Sequence, residues 1–350
     1  MTAQIAAQHV VQTGTTTRSA KEILAWSRRI TDSELRAGVA QLPRSMRRIA
    51  GYHFGWWDAD GEPTPGTDPG KAVRPALVLL AAQAVGGAAE VAVPAAVAVE
   101  LVHNFSLLHD DVMDNDPVRR HRPTAWTVFG VADAVLAGDA LQALASQMLA
   151  PNGALAVEVL NRCVIELCQG QSSDVEFEQR AEVGLEECCE MVAGKTGSLL
   201  GCACMLGAIV AGADSERTRL FGSFGRHIGL AFQLIDDLLG IWGDPAVTGK
   251  PVHSDLANRK KSLPVVAALA TKSAAARELA ELYRQPGRLD EAQLERAAAL
   301  VDQTGAREWA RTRADQEIDL AMADLGAAGC DPRADAELRE LAMLITSRDR

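Results

Sequence analysis

Two acidic runs stand out as candidates for chemistry. The first is His109-Asp110-Asp111-Val112-Met113-Asp114-Asn115-Asp116, at the end of an apolar stretch over 92–108. A helix C-terminus already carries the negative end of the macrodipole, so acids gathered there need positive charge to offset them. Asp110 and Asp114 are four apart and share a helix face. His103, seven residues before Asp110, lies on the same face. The second run, Phe232-Gln233-Leu234-Ile235-Asp236-Asp237, comes late in another apolar stretch and sets the Gln233 amide over the two acids. Hard carboxylate oxygens without clustered His or Cys suit Mg²⁺, which takes few protein ligands and fills its shell with water and phosphate. Two such groups facing each other can clamp a diphosphate through several ions.

Basic residues complete the pattern. Lys71 and Arg74 open a helix in Gly70-Lys71-Ala72-Val73-Arg74-Pro75, and Arg119-Arg120 follow the first acids. Lys195-Thr196 interrupt an apolar helix, and Lys250, Lys260 and Lys261 occupy the loop after the second acids. Arg and Lys around a water-poor cleft are phosphate partners. Gly194-Lys195-Thr196-Gly197 lacks both the spacing and the preceding strand of a nucleotide-binding P-loop.

The elements that must position these groups read as helices almost throughout. Amphipathic patterns cover 20–30 and 32–50, a Gly/Pro/Asp-rich loop covers 58–70, and apolar helices are expected over 71–86 and 92–114. Further helices are expected over 131–149, 154–176, 184–212 and 216–242, then a polar loop over 243–262 and a helix from 263. Later breaks fall near Pro286-Gly287, Gly305 and Gly329–Pro332. The expected fold is all-α: a loose tail over 1–18, then one large bundle over 19–350 without a dividing linker.

The chain has 350 residues, 48% of them hydrophobic, which excludes a mainly disordered protein. Its formal net charge of -11 argues against a general nucleic-acid binder. Seven cysteines, an odd number without metal-site spacing, read as small buried hydrophobes in a reducing compartment. The start of the chain lacks a targeting pattern, and no uninterrupted apolar run reaches the roughly 20 residues of a membrane span. The expectation is a cytoplasmic protein without a stable membrane anchor.

Taken in order, these motifs resemble those of the trans-polyprenyl diphosphate synthases of the farnesyl/geranylgeranyl type. The resemblance runs from about Lys71 to Pro264 and less distinctly over the flanking helices. It implies the all-α isoprenoid synthase bundle, a homodimer, and condensation of isopentenyl diphosphate with an allylic diphosphate. By that resemblance Asp110, Asp114 and Asp236 bind three Mg²⁺, with Asp111 and Asp237 supporting them from behind. Arg119, Lys195, Lys250 and Lys260 attend the allylic diphosphate, and Lys71, Arg74, His103 and Arg120 hold that of isopentenyl diphosphate. Lys195, Thr196 and Gln233 stabilise the developing carbocation. The allylic C–O bond ionises, the second substrate's double bond attacks, and a proton leaves to the departing diphosphate.

Three positions depart from the family pattern. Gly240 replaces a third acid of the second motif, His121 replaces a Gly after the arginine pair, and Pro69 precedes the single Gly70. Product length is read from the residues upstream of Asp110. Phe105 lies five residues before it, about 7.5 Å along a helix, and Ser106 is small. One aromatic without an insertion resembles the geranylgeranyl (C20) pattern; a farnesyl (C15) product is the alternative. A class I terpene cyclase would not need the second basic set, and an inactive partner subunit would have lost an acid or Lys195.

Overall fold

The structure, a computed structural model, describes residues 17–64, 70–245 and 251–346. Helix α1 (Ala20–Ala40) starts at Ser19, whose side chain forms a reciprocal capping box with Glu22. It continues through the break expected near residue 31 and stops only before Pro43, which precedes α2 (Arg44–His53). Of the tail expected over 1–18, Arg18 is tied down. Its backbone and side chain donate to Glu337, and its guanidinium lies over the Trp26 ring.

The central layer matches the expected boundaries closely, except at α5, where no helix was expected. It contains α3 (Val73–Ala84), α4 (Val93–Met113), α5 (Ala125–Phe129), α6 (Val131–Leu149) and α7 (Ala154–Gln179). Pro94 sits in the first turn of α4, where the missing N–H costs nothing. The expected helix over 184–212 is three pieces: α8 (Leu185–Val192), a π-helical turn (Ala193–Gly197) and α9 (Ser198–Val210). Next come α10 (Ser215–Trp242), capped by Asp214, and a short α11 (Ser254–Ala257) within the expected loop. The C-terminal part holds α12 (Leu263–Ala270), α13 (Ala274–Arg284), α14 (Glu291–Gln303), α15 (Ala306–Ala327) and α16 (Pro332–Thr346).

The strands among the described residues are a two-residue hairpin, β1 (Val118–Arg119) and β2 (Arg122–Pro123). Arg120 and His121 form its turn with φ of 50° and 61°. Both central residues at positive φ is the type I′ arrangement, which explains why Gly is the easier residue where His121 stands.

Helix α4 packs mainly on α6, and α10 mainly on α15 and α9. The largest apolar core gathers α1, α3, α4, α6, α9 and the first half of α10. Smaller cores continue under the end of α10, sharing Trp242, Trp309 and Leu185. All seven cysteines are free; Cys163, Cys188, Cys202 and Cys204 are buried as expected, Cys189 and Cys330 only half-buried, and Cys168, contrary to expectation, is exposed on α7. The segments 89–113 and 185–210 have the length and hydropathy of a membrane span, but 67% of each window is buried inside the bundle, as for core helices.

Candidate active site

The first acidic motif sits on the last turn of α4, with Asp114 as its C-cap. Asp111 points inward, is 1% exposed, and accepts from Arg119 Nε at 2.6 Å. The hairpin turn thus brings Arg119 back onto the helix that precedes it. Burial pushes the Asp110 carboxyl up to about 6, against the opposing pull of Lys195. Burial also raises Asp114, and Asp116 and Asp174 add to that rise. These carboxylates are therefore costly at neutral pH unless cations join them.

The second motif lies two turns from the end of α10. Asp237 is buried and holds three groups: Gln233 Nε2 at 2.8 Å, the Leu263 N–H at 2.9 Å and Lys260 Nζ at 3.4 Å. Lys260 is held protonated chiefly by Asp237, with Asp255, Asp236 and Asp174 adding to the effect. Gln233 Oε1 in turn accepts from Thr196 Oγ1 at 3.0 Å. Lys195 and Thr196 project from the π-helical turn, a distortion that re-aims side chains within a helix.

One residue absent from the expected set links the two motifs. Asp174, on α7, accepts from Lys195 Nζ at 2.6 Å. Gly170, one turn earlier, makes this possible: a Cβ there would stand 2.3 Å from the Lys195 backbone nitrogen. Gln171 beside it is buried, and neither polar atom of its side chain has a hydrogen-bond partner among the described residues. Gln171 and Asp174 are polar residues three apart inside a helix, a cue present in the sequence but weak beside the paired acids.

A second basic set lies two turns further up α4, around His103. Arg74 donates to His103 Nε2 at 3.2 Å. A guanidinium has no acceptor, so that nitrogen accepts and the ring is neutral. Burial, reinforced by Arg74 and Arg120, holds His103 well below its ordinary pKa. Arg74 Nε is buried without a partner among the described residues. Gly70 has φ of 89°, and a Cβ on it would stand 2.6 Å from the Arg120 guanidinium. A single glycine therefore suffices, and its carbonyl accepts from Arg28. Lys71 is exposed at the mouth of this set, and Lys250 lies outside the described residues.

Gly240 has a steric explanation. A Cβ there would meet the Asp255 carboxyl carbon at 2.4 Å, and Asp255 lies 3.7 Å from Lys260. The space of a third acid on α10 is thus taken by a carboxylate from α11. Accordingly, Gly240→Asp is expected to displace Asp255 from Lys260 and to lower kcat on the order of tenfold, since small misplacements at a reacting centre are costly. Steady-state kinetics of the variant checks this; a rise in kcat would show that the missing acid, not the space, limits the enzyme.

Phe105 and Ser106 are both buried, at 6% and 8% exposure, so neither lines an open surface. The Ser106 hydroxyl donates to the His103 carbonyl at 2.8 Å.

Among the described residues no three acids, imidazoles or thiols stand close enough to cage an ion by themselves. The donor set fits magnesium all the same: hard oxygens spread over facing helices, with shell positions left for water and phosphate. A helical bundle presenting acids opposite cationic side chains has the chemistry to bind a diphosphate through divalent cations. Comparison with known proteins agrees. Residues 66–301 match the polyprenyl synthetase family profile. The geranylgeranyl diphosphate synthase of Mycobacterium tuberculosis is 46% identical over 334 residues, 94% of each chain. The (2E,6E)-farnesyl diphosphate synthase of Mycobacterium bovis is 43% identical over 341 residues, 95% of this chain and 94% of its own. The crystal structure of a polyprenyl synthetase from Streptomyces coelicolor A3(2) superposes with a TM-score of 0.89 at 46% identity, covering 93% of this chain and 99% of its own. The chain belongs to the polyprenyl synthetase family, whose members are generally magnesium-dependent.

Proposed function

We propose that this enzyme is a geranylgeranyl diphosphate synthase, adding isopentenyl diphosphate to an allylic diphosphate to reach C20. The observation that carries the reading is the presence of two cationic sets, one at the acidic motifs and one around His103, about two turns further up α4. Lys195 and Lys260 face the two acidic motifs, while Arg74, His103 and Arg120 form a second set two turns further up α4. Elongation needs two diphosphate sites; cyclisation needs one. The name borne by the 46% identical relative and the small Ser106 favour C20 over C15.

In this reading Asp110, Asp114 and Asp236 hold three magnesium ions, which supply the charge that lets the leaving diphosphate depart. Arg119, Lys195, Lys250 and Lys260 bind that diphosphate. Asp111 fixes Arg119, and Asp237 fixes Lys260 and the Gln233 amide. Because Asp237 holds the NH₂ end of Gln233, the carbonyl end is turned toward Thr196. Oxygen lone pairs are thereby preset where positive charge develops on the allylic carbon. Lys71, Arg74, His103 and Arg120 hold isopentenyl diphosphate; a neutral His103 can donate to phosphate from its remaining N–H. The active chain is a single helical domain after the N-terminal tail, cytoplasmic and homodimeric. Leu136 on α6 and Leu155 and Ile165 on α7, all at least half exposed, support a partner there.

The test is a product assay with Mg²⁺, isopentenyl diphosphate and each allylic primer, the product alcohols identified by mass. C20 is expected. C15 would keep the reaction and remove the chain-length reading, whereas cyclic hydrocarbon from an allylic diphosphate alone would replace elongation with cyclisation.

A further inference from the structure

On a straight helix Phe105 points about 140° away from Asp110, so as the floor of a product tunnel it needs a wall to hold it there. The structure supplies one in His109. The two residues are four apart on α4, and their rings meet edge to face with centroids 5.3 Å apart at 89°. His109 Nε2 lies 2.9 Å from the Val135 carbonyl oxygen on α6. A carbonyl only accepts, so Nε2 carries the proton. The imidazole rests directly on Gly138 of the same helix: a Cβ there would stand 2.2 Å from Nε2 and 2.5 Å from Cδ2. The ring is thus held by a hydrogen bond on its edge and the α6 backbone beneath it. Held there, it presents its edge-to-face contact to the Phe105 ring.

We propose that His109 is a positioning residue for product length: clamped between the Val135 carbonyl and Gly138, it fixes the Phe105 ring at the depth where elongation stops. The proposal rests on Phe105 being the floor. It assigns a role to a side chain that touches neither diphosphate set, and it makes Gly138 part of the same device.

The experiment measures product distributions of the full-length chain with Mg²⁺, isopentenyl diphosphate and a short allylic primer. The variants are Phe105→Ala, His109→Ala, His109→Phe and Gly138→Ala. Product length is a ratio among molecules made by active enzyme, so a poorly folded fraction does not move it. Phe105→Ala, His109→Ala and Gly138→Ala are each expected to raise the next longer product relative to the wild-type product by about tenfold, the scale on which pockets discriminate apolar length. His109→Phe keeps a ring but loses the Val135 hydrogen bond, and is expected to lengthen the product less than His109→Ala, with KM for isopentenyl diphosphate unchanged. If Phe105→Ala lengthens the product and His109→Ala does not, the positioning role is wrong and the floor stands. Lengthening by His109→Phe equal to that of His109→Ala would also overturn it, since a retained ring would then be no wall. An unchanged length in Phe105→Ala removes both floor and wall.

Discussion

Asp110→Asn is expected to lower kcat by about 10³-fold, the scale of losing one charge-stabilising group at a reacting centre, while leaving the fold intact. Asn keeps the shape of the side chain and the packing of α4 but removes the charge. The sign of the stability effect follows from the direction of the pKa. The Asp110 carboxyl lies at about 6 in the fold, above its ordinary 3.8, chiefly because it is buried. The stability that protonation contributes is fully present below the unfolded value and is lost as pH rises through about 6. At pH 8 without metal the wild-type chain therefore carries an uncomfortable charge that the variant lacks. The metal-free variant should melt at the same temperature or higher, and gain less than wild type on adding Mg²⁺ and inorganic diphosphate. Below pH 6 a proton competes with the cation, so wild-type Mg²⁺ affinity should fall by up to about tenfold per pH unit. Thermal melts and a Mg²⁺ titration at pH 5, 6 and 8 check both signs. A variant of normal kcat, or a metal-free variant much less stable at pH 8, would contradict this use of Asp110.

What sequence reasoning reached and missed divides by range. Helix α6 appears at the expected bounds because its apolar period and flanking Gly130 and Gly153 are local. The paired acids were legible for the same reason, since Asp110 and Asp114 share a face of one helix. Asp174 was not: it matters through Lys195, 21 residues away, and Gly170 allows that approach only once α7 is packed against the π-helical turn. The turn itself is hidden because Ala193–Gly197 continues the helical period on both sides. Gly240 was visible as a departure, but its reason, the Asp255 carboxylate, comes from a different helix. The break expected near residue 31 failed in the opposite sense. Thr31 is buried and returns its hydroxyl to the Ser27 carbonyl, so α1 runs on through the gap between the patterns over 20–30 and 32–50.

Asp237→Ala is expected to damage both stability and chemistry, because one buried carboxylate serves three donors from three elements. Its loss leaves the Leu263 N–H at the start of α12 without an acceptor and removes the principal partner of Lys260. Asp255, 3.7 Å away, offsets only part of that charge. Leaving the buried Leu263 N–H unsatisfied costs about 1–3 kcal/mol, while the part-exposed Lys260 adds less than a fully buried pair would, so the unfolding midpoint in urea should fall accordingly. The chemical effect comes through Gln233. Without Asp237 its amide has no fixed sense, and Thr196 loses a preset acceptor. A fall in kcat of about 10²-fold is expected from the lost preorganisation. Asp237→Asn separates the two effects. Its amide oxygen can still accept from Leu263, so much of the stability should return. It cannot neutralise Lys260, and its own NH₂ competes for the same partners as Gln233, so kcat should stay low while KM for isopentenyl diphosphate is unmoved, since that substrate is assigned to the separate set of Arg74 and His103. If both variants fold and turn over normally, the Asp237 cluster is packing alone. If KM for isopentenyl diphosphate rises instead, the two diphosphate sites are not separated as the geometry of Arg74, His103 and Lys260 requires.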